Sequence, residues 1–143
     1  MSNVLFHLAF PILDVPEAKR FYVDGLGCTL GRETAGAVTF GLAGHQLVAH
    51  VVDAMPEAQK GIYPRHFGLV FTEKGAWQSL LERALRNGLR FFQRPRCRFQ
   101  GSRVEHETFF LEDPFRNLLE FKHYTHESAI FGERDVPQIG DLE

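Results

Sequence analysis

The sequence predicts an α+β protein made of two βαβββ modules that form a cupped mixed sheet around a metal site. Three observations carry this reading. The order strand, helix, three strands occurs twice along the chain; the first strand of each copy holds a histidine, His7 and His66; and a stretch without hydrophobic period, carrying Pro56, Gly61 and Pro64, lies between the copies. The modules span 1–53 and 65–124, joined by a linker over 54–64 and followed by a tail over 125–143.

In the first module, Val4, Phe6, Leu8 and Phe10 alternate with Leu5, His7 and Ala9, so His7 stands on the second face of a strand. Asp14 has the position of a helix N-cap with Glu17 three residues on, Pro16 suits the first turn, and Ala18, Phe21 and Tyr22 form an apolar stripe. Gly25 and Gly27 end this helix, and Cys28–Glu33, Ala37–Gly41 and His45–Val52 read as three short strands. In the second module, Phe67, Leu69 and Phe71 alternate with His66, Gly68 and Val70. Trp77, Leu80, Leu81, Ala84 and Leu85 then define an amphipathic helix closed by Asn87-Gly88. Leu89–Gln93, Glu105–Glu112 and Asn117–Tyr124 complete the set, with Asp113-Pro114 as the turn between the last two.

A chain of 143 residues with 44% hydrophobic and 24% charged side chains is long and apolar enough for a real core, and 14 phenylalanines need packing partners or a cavity to line. The net charge of −2 and the absence of a basic block argue against a nucleic-acid partner. Arg94, Arg96, Arg98 and Arg103 are the nearest approach to a basic patch, and a Pro- and Gly-containing loop there either rims the cavity or is solvated. No apolar run is long enough for a bilayer, and Met1-Ser2-Asn3-Val4 does not begin a secretory signal, so no membrane partner and a cytoplasmic location are expected. Cys28 and Cys97, far apart and outside any CxxC pair, suit reduced thiols.

His7 and His66 at equivalent places, with Glu120 in the last strand, supply the two-histidine, one-carboxylate set that holds a divalent metal with open coordination positions. Glu120 lies between Leu119 and Phe121, where a buried carboxylate requires a cation or a hydrogen-bonding partner. Aligning the last strands sets Val48 opposite Glu120; a shift of two residues would set His50 there instead. Lys122 shares a strand face with Glu120, from which it either meets an anionic substrate or extends to the sheet rim.

Several stretches resemble the vicinal oxygen chelate superfamily of glyoxalases, extradiol dioxygenases and fosfomycin- and bleomycin-resistance proteins. They are Phe6–Phe10 with Asp14–Tyr22, Leu26-Gly27-Cys28, His66–Phe71 and, most specifically, Phe109–Phe121, which is similar to the family ending DP-x-GN-x-x-E with Arg116 in place of the usual glycine. The resemblance implies a metal held by His7, His66 and Glu120, with substrate oxygens on its open positions. Iron(II) is favoured, and manganese, nickel, cobalt or zinc are compatible. It implies a fourth ligand in glyoxalase-type members at the position of Val48, which this chain lacks unless the register brings in His50. It further implies a homodimer in which modules are exchanged, His7 of one chain meeting His66 and Glu120 of the other.

The expected function is metal-dependent catalysis on a small molecule with vicinal oxygens, with extradiol-type dioxygenation as the lead and glyoxalase-like isomerisation or thiol transfer as the alternative. His106 is the expected acid/base group by resemblance to the dioxygenases, although its place between Glu105 and Glu107 also suits a solvent-facing side chain. A metal-free ligand-binding or resistance protein is the contrasting class.

Overall fold

A computed structural model of the chain describes residues 3–140. The N- and C-terminal ends of the first module and the tail as delimited above, residues 1–2 and 141–143, lie outside the described residues. In chain order the elements are β1 (His7–Ile12), α1 (Val15–Lys19) running into a π-helical turn (Arg20–Gly25), β2 (Thr29–Glu33), β3 (Ala37–Leu42), β4 (His45–Val51), β5 (Phe67–Val70), α2 (Lys74–Arg86), β6 (Phe91–Arg98), β7 (His106–Glu112), β8 (Leu118–Tyr124) and a 3₁₀ turn (Glu127–Ala129). Two four-stranded mixed sheets result, ordered β1-β4-β3-β2 and β5-β8-β7-β6. The first and last strands of each module pair in parallel and the rest antiparallel. This is the repeated βαβββ order and the α+β class that the sequence predicts.

Local chemistry accounts for the helix ends. The Asp14 carboxylate accepts from the Glu17 amide at 2.8 Å, satisfying one of the donors that a helix start leaves open. Asn87 caps α2, and Gly88 follows with a positive φ of 65°, the left-handed step that a glycine makes without a steric cost.

One strand departs from the reading above. The arginines from Arg94 to Arg98 do not flank a loop but continue β6, which runs to Arg98 through two register shifts against β7. Bulges absorb the Pro95-containing stretch on an edge strand, where a missing amide donor leaves no neighbouring acceptor unpaired.

Both sheets use one face for the core. Phe10 and Ile12 of β1, Val38 and Phe40 of β3, Leu47 and Ala49 of β4, Phe109 and Leu111 of β7 and Leu119 and Phe121 of β8 join the helix residues Ala18, Phe21, Tyr22, Trp77 and Ala84 in a single apolar cluster. The modules therefore pack on each other through their helix-bearing sides, with Phe10 and Phe67 rings 5.3 Å apart. Polar pins cross the same seam: the buried Tyr22 hydroxyl donates to Asp113 at 2.7 Å, Asn117 Nδ2 to the Pro11 carbonyl at 2.8 Å, and Arg83 Nε to the Gly25 carbonyl at 3.0 Å. The opposite faces remain outside this core. On the first sheet that face carries His7 and Ala9 of β1 and Gln46, Val48 and His50 of β4, and it is largely exposed. The two modules of one chain thus do not close a cup on each other, because each has placed its larger apolar side chains on the helix side.

Removing the Tyr22 hydroxyl should loosen the seam without opening a cavity. Tyr22→Phe is expected to lower unfolding stability by about 1–2 kcal/mol, read from the urea midpoint at neutral pH, since Asp113 keeps its three bonds from Phe115 and Asn117.

Candidate metal and substrate site

The second sheet's outer face gathers most of the candidate site residues. Antiparallel pairing sets His106 beside Tyr124, Thr108 beside Lys122 and Phe110 beside Glu120 across β7 and β8, and Arg98 beside His106 across β6 and β7. Parallel pairing of β5 with β8 puts Gly68 against Glu120, two residues after His66. A cavity of about 750 Å³ lies on this face, lined by His66, Arg98, His106, Glu120 and Lys122 among others, with residues 129–134 of the tail forming part of its other wall. Residues of the tail between 129 and 140 thus line part of this cavity.

His66 and Glu120 form its polar centre, Nε2 to Oε1 at 3.1 Å. Each is fixed from behind. His66 Nδ1–H donates to the Ile62 carbonyl at 2.7 Å, and Thr108, fully buried, donates to Glu120 Oε2 at 2.6 Å. Lys122 Nζ stands 3.8 Å from Oε1. Burial pushes the Glu120 carboxyl up, yet the hydrogen bond from His66, the Lys122 charge and the Thr108 hydroxyl outweigh it and hold the group at about 2. His66 is raised in turn, chiefly by that hydrogen bond to Glu120. A glycine is required at position 68, because a Cβ there would collide with the Glu120 backbone carbonyl.

His7 is not brought to this pair within one chain. It is exposed on the open face of the first sheet, where Nδ1–H donates to Gln46 Oε1 at 2.8 Å. Among the described residues no three His, Cys, Asp or Glu side chains converge closely enough to hold a metal. The resemblance of His7 to His66 is nevertheless structural: each has Nδ1 occupied by a protein acceptor, which in the neutral ring leaves the Nε2 lone pair facing outward. Sheet register also compares the last strands directly. Ala9 pairs with Val48 as Gly68 pairs with Glu120, and Pro11 pairs with His50 as Val70 pairs with Lys122. Val48 therefore occupies the place of Glu120, and His50 that of Lys122.

His106 is buried, 5% exposed, and not solvent-facing. Its Nδ1–H donates to the Val104 carbonyl at 3.0 Å, and its ring lies 4.9 Å from that of Tyr124. Burial lowers its pKa, with the Lys122 and Arg98 charges adding to the effect, which favours the neutral ring. One residue was missed from the sequence: Thr108, although the alternation His106, Thr108, Phe110 puts it on the same face. Arg98 stands among the arginines expected either to rim the cavity or to be solvated, and it lines the cavity.

The comparisons agree with this architecture. The family model described as the Glyoxalase/Bleomycin resistance protein/Dioxygenase superfamily matches residues 4–121. A crystal structure of a glyoxalase/bleomycin resistance protein/dioxygenase from Alicyclobacillus acidocaldarius is similar at 43% identity and TM-score 0.86, over 90% of this chain and 97% of that one. The fosfomycin resistance protein FosX from Listeria monocytogenes shares the fold at 18% identity and TM-score 0.68, over 90% of this chain and 99% of that one. A variant of FosX, complexed with Mn(II) and 1S,2S-dihydroxypropylphosphonic acid, aligns at 17% identity and TM-score 0.67, over 92% and 98% of the two chains. No protein of curated function matches the sequence. Among the described residues no helix is long and apolar enough to cross a membrane.

Two measurements check the pair. In metal-free protein the Glu120 contribution to stability is present above the ordinary carboxylate pKa and is lost as pH falls toward 2. The His66 contribution is present below its ordinary value of 6.5 and is lost as pH rises through the raised value. Stability measured by urea across pH should therefore peak at mildly acidic pH, and Glu120→Gln should flatten that peak. Gly68→Ala should separate β5 from β8 and yield insoluble protein or a fall of more than about 3 kcal/mol.

Proposed function

Because the chain belongs to the glyoxalase/bleomycin resistance protein/dioxygenase superfamily, we propose that it is a metal-dependent enzyme acting on a small molecule with vicinal oxygens, by extradiol-type dioxygenation. The observation that carries the reading is the His66–Glu120 pair, whose facing atoms lie 3.1 Å apart while their rear atoms are held by Ile62 and Thr108. This is a donor set fixed for a cation: Nε2 and Oε1, which now face each other, are the atoms that would hold a divalent ion. His7, with Nε2 outward, is the third donor and comes from a second copy of the chain. Val4, Leu5 and Phe6, exposed by 57, 64 and 62%, form an apolar patch just before β1 that is suited to such a partner.

Two histidines and one carboxylate suit non-haem iron(II), which supplies Lewis acidity to chelating oxygens and redox chemistry with O₂. The protein's own part is proton handling and positioning. His106 Nε2 accepts the proton of a substrate hydroxyl, and the Val104 carbonyl holds the ring in the tautomer this requires. Phe110, packed edge-on to His66 with ring centroids 5.0 Å apart, and Tyr124 limit the approach to a flat molecule lying along the sheet. The same neutral base would serve a glyoxalase-like proton transfer, which is the second reading.

Freshly purified protein should carry near-stoichiometric metal by elemental analysis, and His7→Ala and Glu120→Ala should each abolish it. Iron and oxygen uptake with catechols support dioxygenation; metal without oxygen uptake moves the assignment to isomerisation or thiol transfer. His106→Asn should keep the metal and lower kcat by about 10²–10⁴-fold. Refolding an equimolar mixture of His7→Ala and Glu120→Ala chains should recover about a quarter of the sites, because half the dimers are mixed and each mixed dimer holds one intact site. No recovery would mean that each site is built from a single chain.

A further inference from the structure

The segment after β8 runs along the cavity without entering the core. Thr125 roots it: its amide donates to the Glu105 carbonyl at 3.0 Å and its hydroxyl to Glu105 Oε2 at 2.6 Å, so the segment leaves β8 against the loop between β6 and β7. The 3₁₀ turn follows, and just beyond it the Gly132 amide donates to the Ser128 carbonyl at 2.8 Å. A Cβ at position 132 would stand 2.6 Å from that carbonyl oxygen, so the turn needs a glycine. At the far end Gly140, with φ 68°, lies against Tyr63 of the linker, where a Cβ would stand 2.6 Å from the phenol oxygen. Between these ends Ile130, Glu133 and Val136 line the cavity that His66 and His106 line from the sheet.

This strap is held by charge and not by burial. No residue from 125 to 140 is buried, and none of them joins the apolar clusters of the core. Phe131 and Ile139 are 95 and 90% exposed, so their apolar surface gives the strap almost no hold. Its middle is fastened by Arg103 of the β6–β7 loop, which gives Nη1 to Glu133 Oε1 at 3.1 Å and Nη2 to Asp135 Oδ2 at 3.0 Å. Ser128 holds the other Glu133 oxygen at 2.6 Å. Exposed ion pairs contribute little each and weaken with salt, and a segment with few buried contacts opens locally without unfolding the rest.

We propose that residues 127–140 are a lid over the cavity and that the fork from Arg103 to Glu133 and Asp135 is its latch. Closed, the lid shields the cavity and His106 within it; released, it admits or frees a ligand. A weak latch suits this task, because a lid fixed by core packing would open only with the fold. The inference rests on the strap and the cavity, and on neither the metal nor the reaction proposed above.

The test uses the full chain as isolated. Hydrogen exchange of the 127–140 segment reports the lid, and acylation of His106 by diethyl pyrocarbonate reports the cavity, both read by mass spectrometry with exposed His50 as the internal reference. Arg103→Gln should speed both by about threefold or more, and raising salt from about 0.1 to 1 M should do the same to the wild type and little to the variant. Arg103→Lys should retain part of the protection, as a point charge without the fork. Glu133→Gln combined with Asp135→Asn releases the latch from the other side and should match Arg103→Gln, which keeps the test usable if that variant does not fold. All three changes together should add nothing to either set. Faster exchange with unchanged His106 acylation would overturn the lid, and rates indifferent to Arg103 and to salt would overturn the latch. Metal content measured on the same samples should equal that of the wild type, since Arg103 touches none of the donors. A latch that responds in a protein without metal overturns the metal enzyme and leaves the lid standing.

Discussion

A carboxylate buried in the middle of a β-sheet is the constraint around which the second module is arranged. Glu120 lies on β8 between Leu119 and Phe121, both in the apolar core, and its own side chain emerges on the other face. An isolated anion there would cost several kcal/mol in lost solvation. Three neighbours supply the compensation: His66 from the start of β5, Thr108 from β7 and Lys122 from the next position on the same face. These come from three strands, so the carboxylate stays ionised only when β5, β7 and β8 are in register. Gly68 completes the condition, since only a residue without a Cβ lets β5 approach β8 at the height of Glu120.

The division of each strand into a core face and an outer face explains why His7 and His66 do not meet in one chain. The helix-side residues of both sheets merge into a single cluster, tied across the seam by Tyr22, Asp113 and Asn117. That packing uses the face on which two modules in one chain can meet, and it turns His7 and His66 away from each other. The histidines retain the same local design, Nδ1 bonded and Nε2 outward, on sheets that look in different directions. In the proposed dimer, twofold symmetry would bring the two histidines together, because each chain presents both at once.

Much of this was legible in the sequence, and the limits have physical causes. Alternation with period 2 put His7, His66, Glu120 and Lys122 on the correct faces, and Asp14, Asn87 and Gly88 marked helix ends through specific backbone hydrogen bonds or a positive φ. The equivalence of Val48 with Glu120 followed from the repeat and agrees with the sheet register. Period fails where a strand bulges. Arg94 to Arg98 read as a loop because Pro95 and an inserted residue break the alternation, and the structure makes them a strand that ends with Arg98 in the cavity. Burial of His106 was also hidden, since Glu105 and Glu107 on either side describe the opposite face and say nothing of its own.

Arg116 shows how a departure from a motif is accommodated. It stands where the resembling family has glycine, and its φ of 71° is in the left-handed region that a side chain normally avoids, at a cost of about 1 kcal/mol. Two sets of bonds hold the turn in this conformation. Asp113 accepts from the amides of Phe115 and Asn117 at 2.8 Å, fixing the backbone on both sides, and the Arg116 guanidinium donates to the Pro56 carbonyl at 3.0 Å. A glycine would relieve the strain and lose the tie to the linker that leads to Ile62, whose carbonyl orients His66. The substitution thus connects the turn before β8 with the segment before β5, and the strands that carry Glu120 and follow His66 are entered from the same fixed corner.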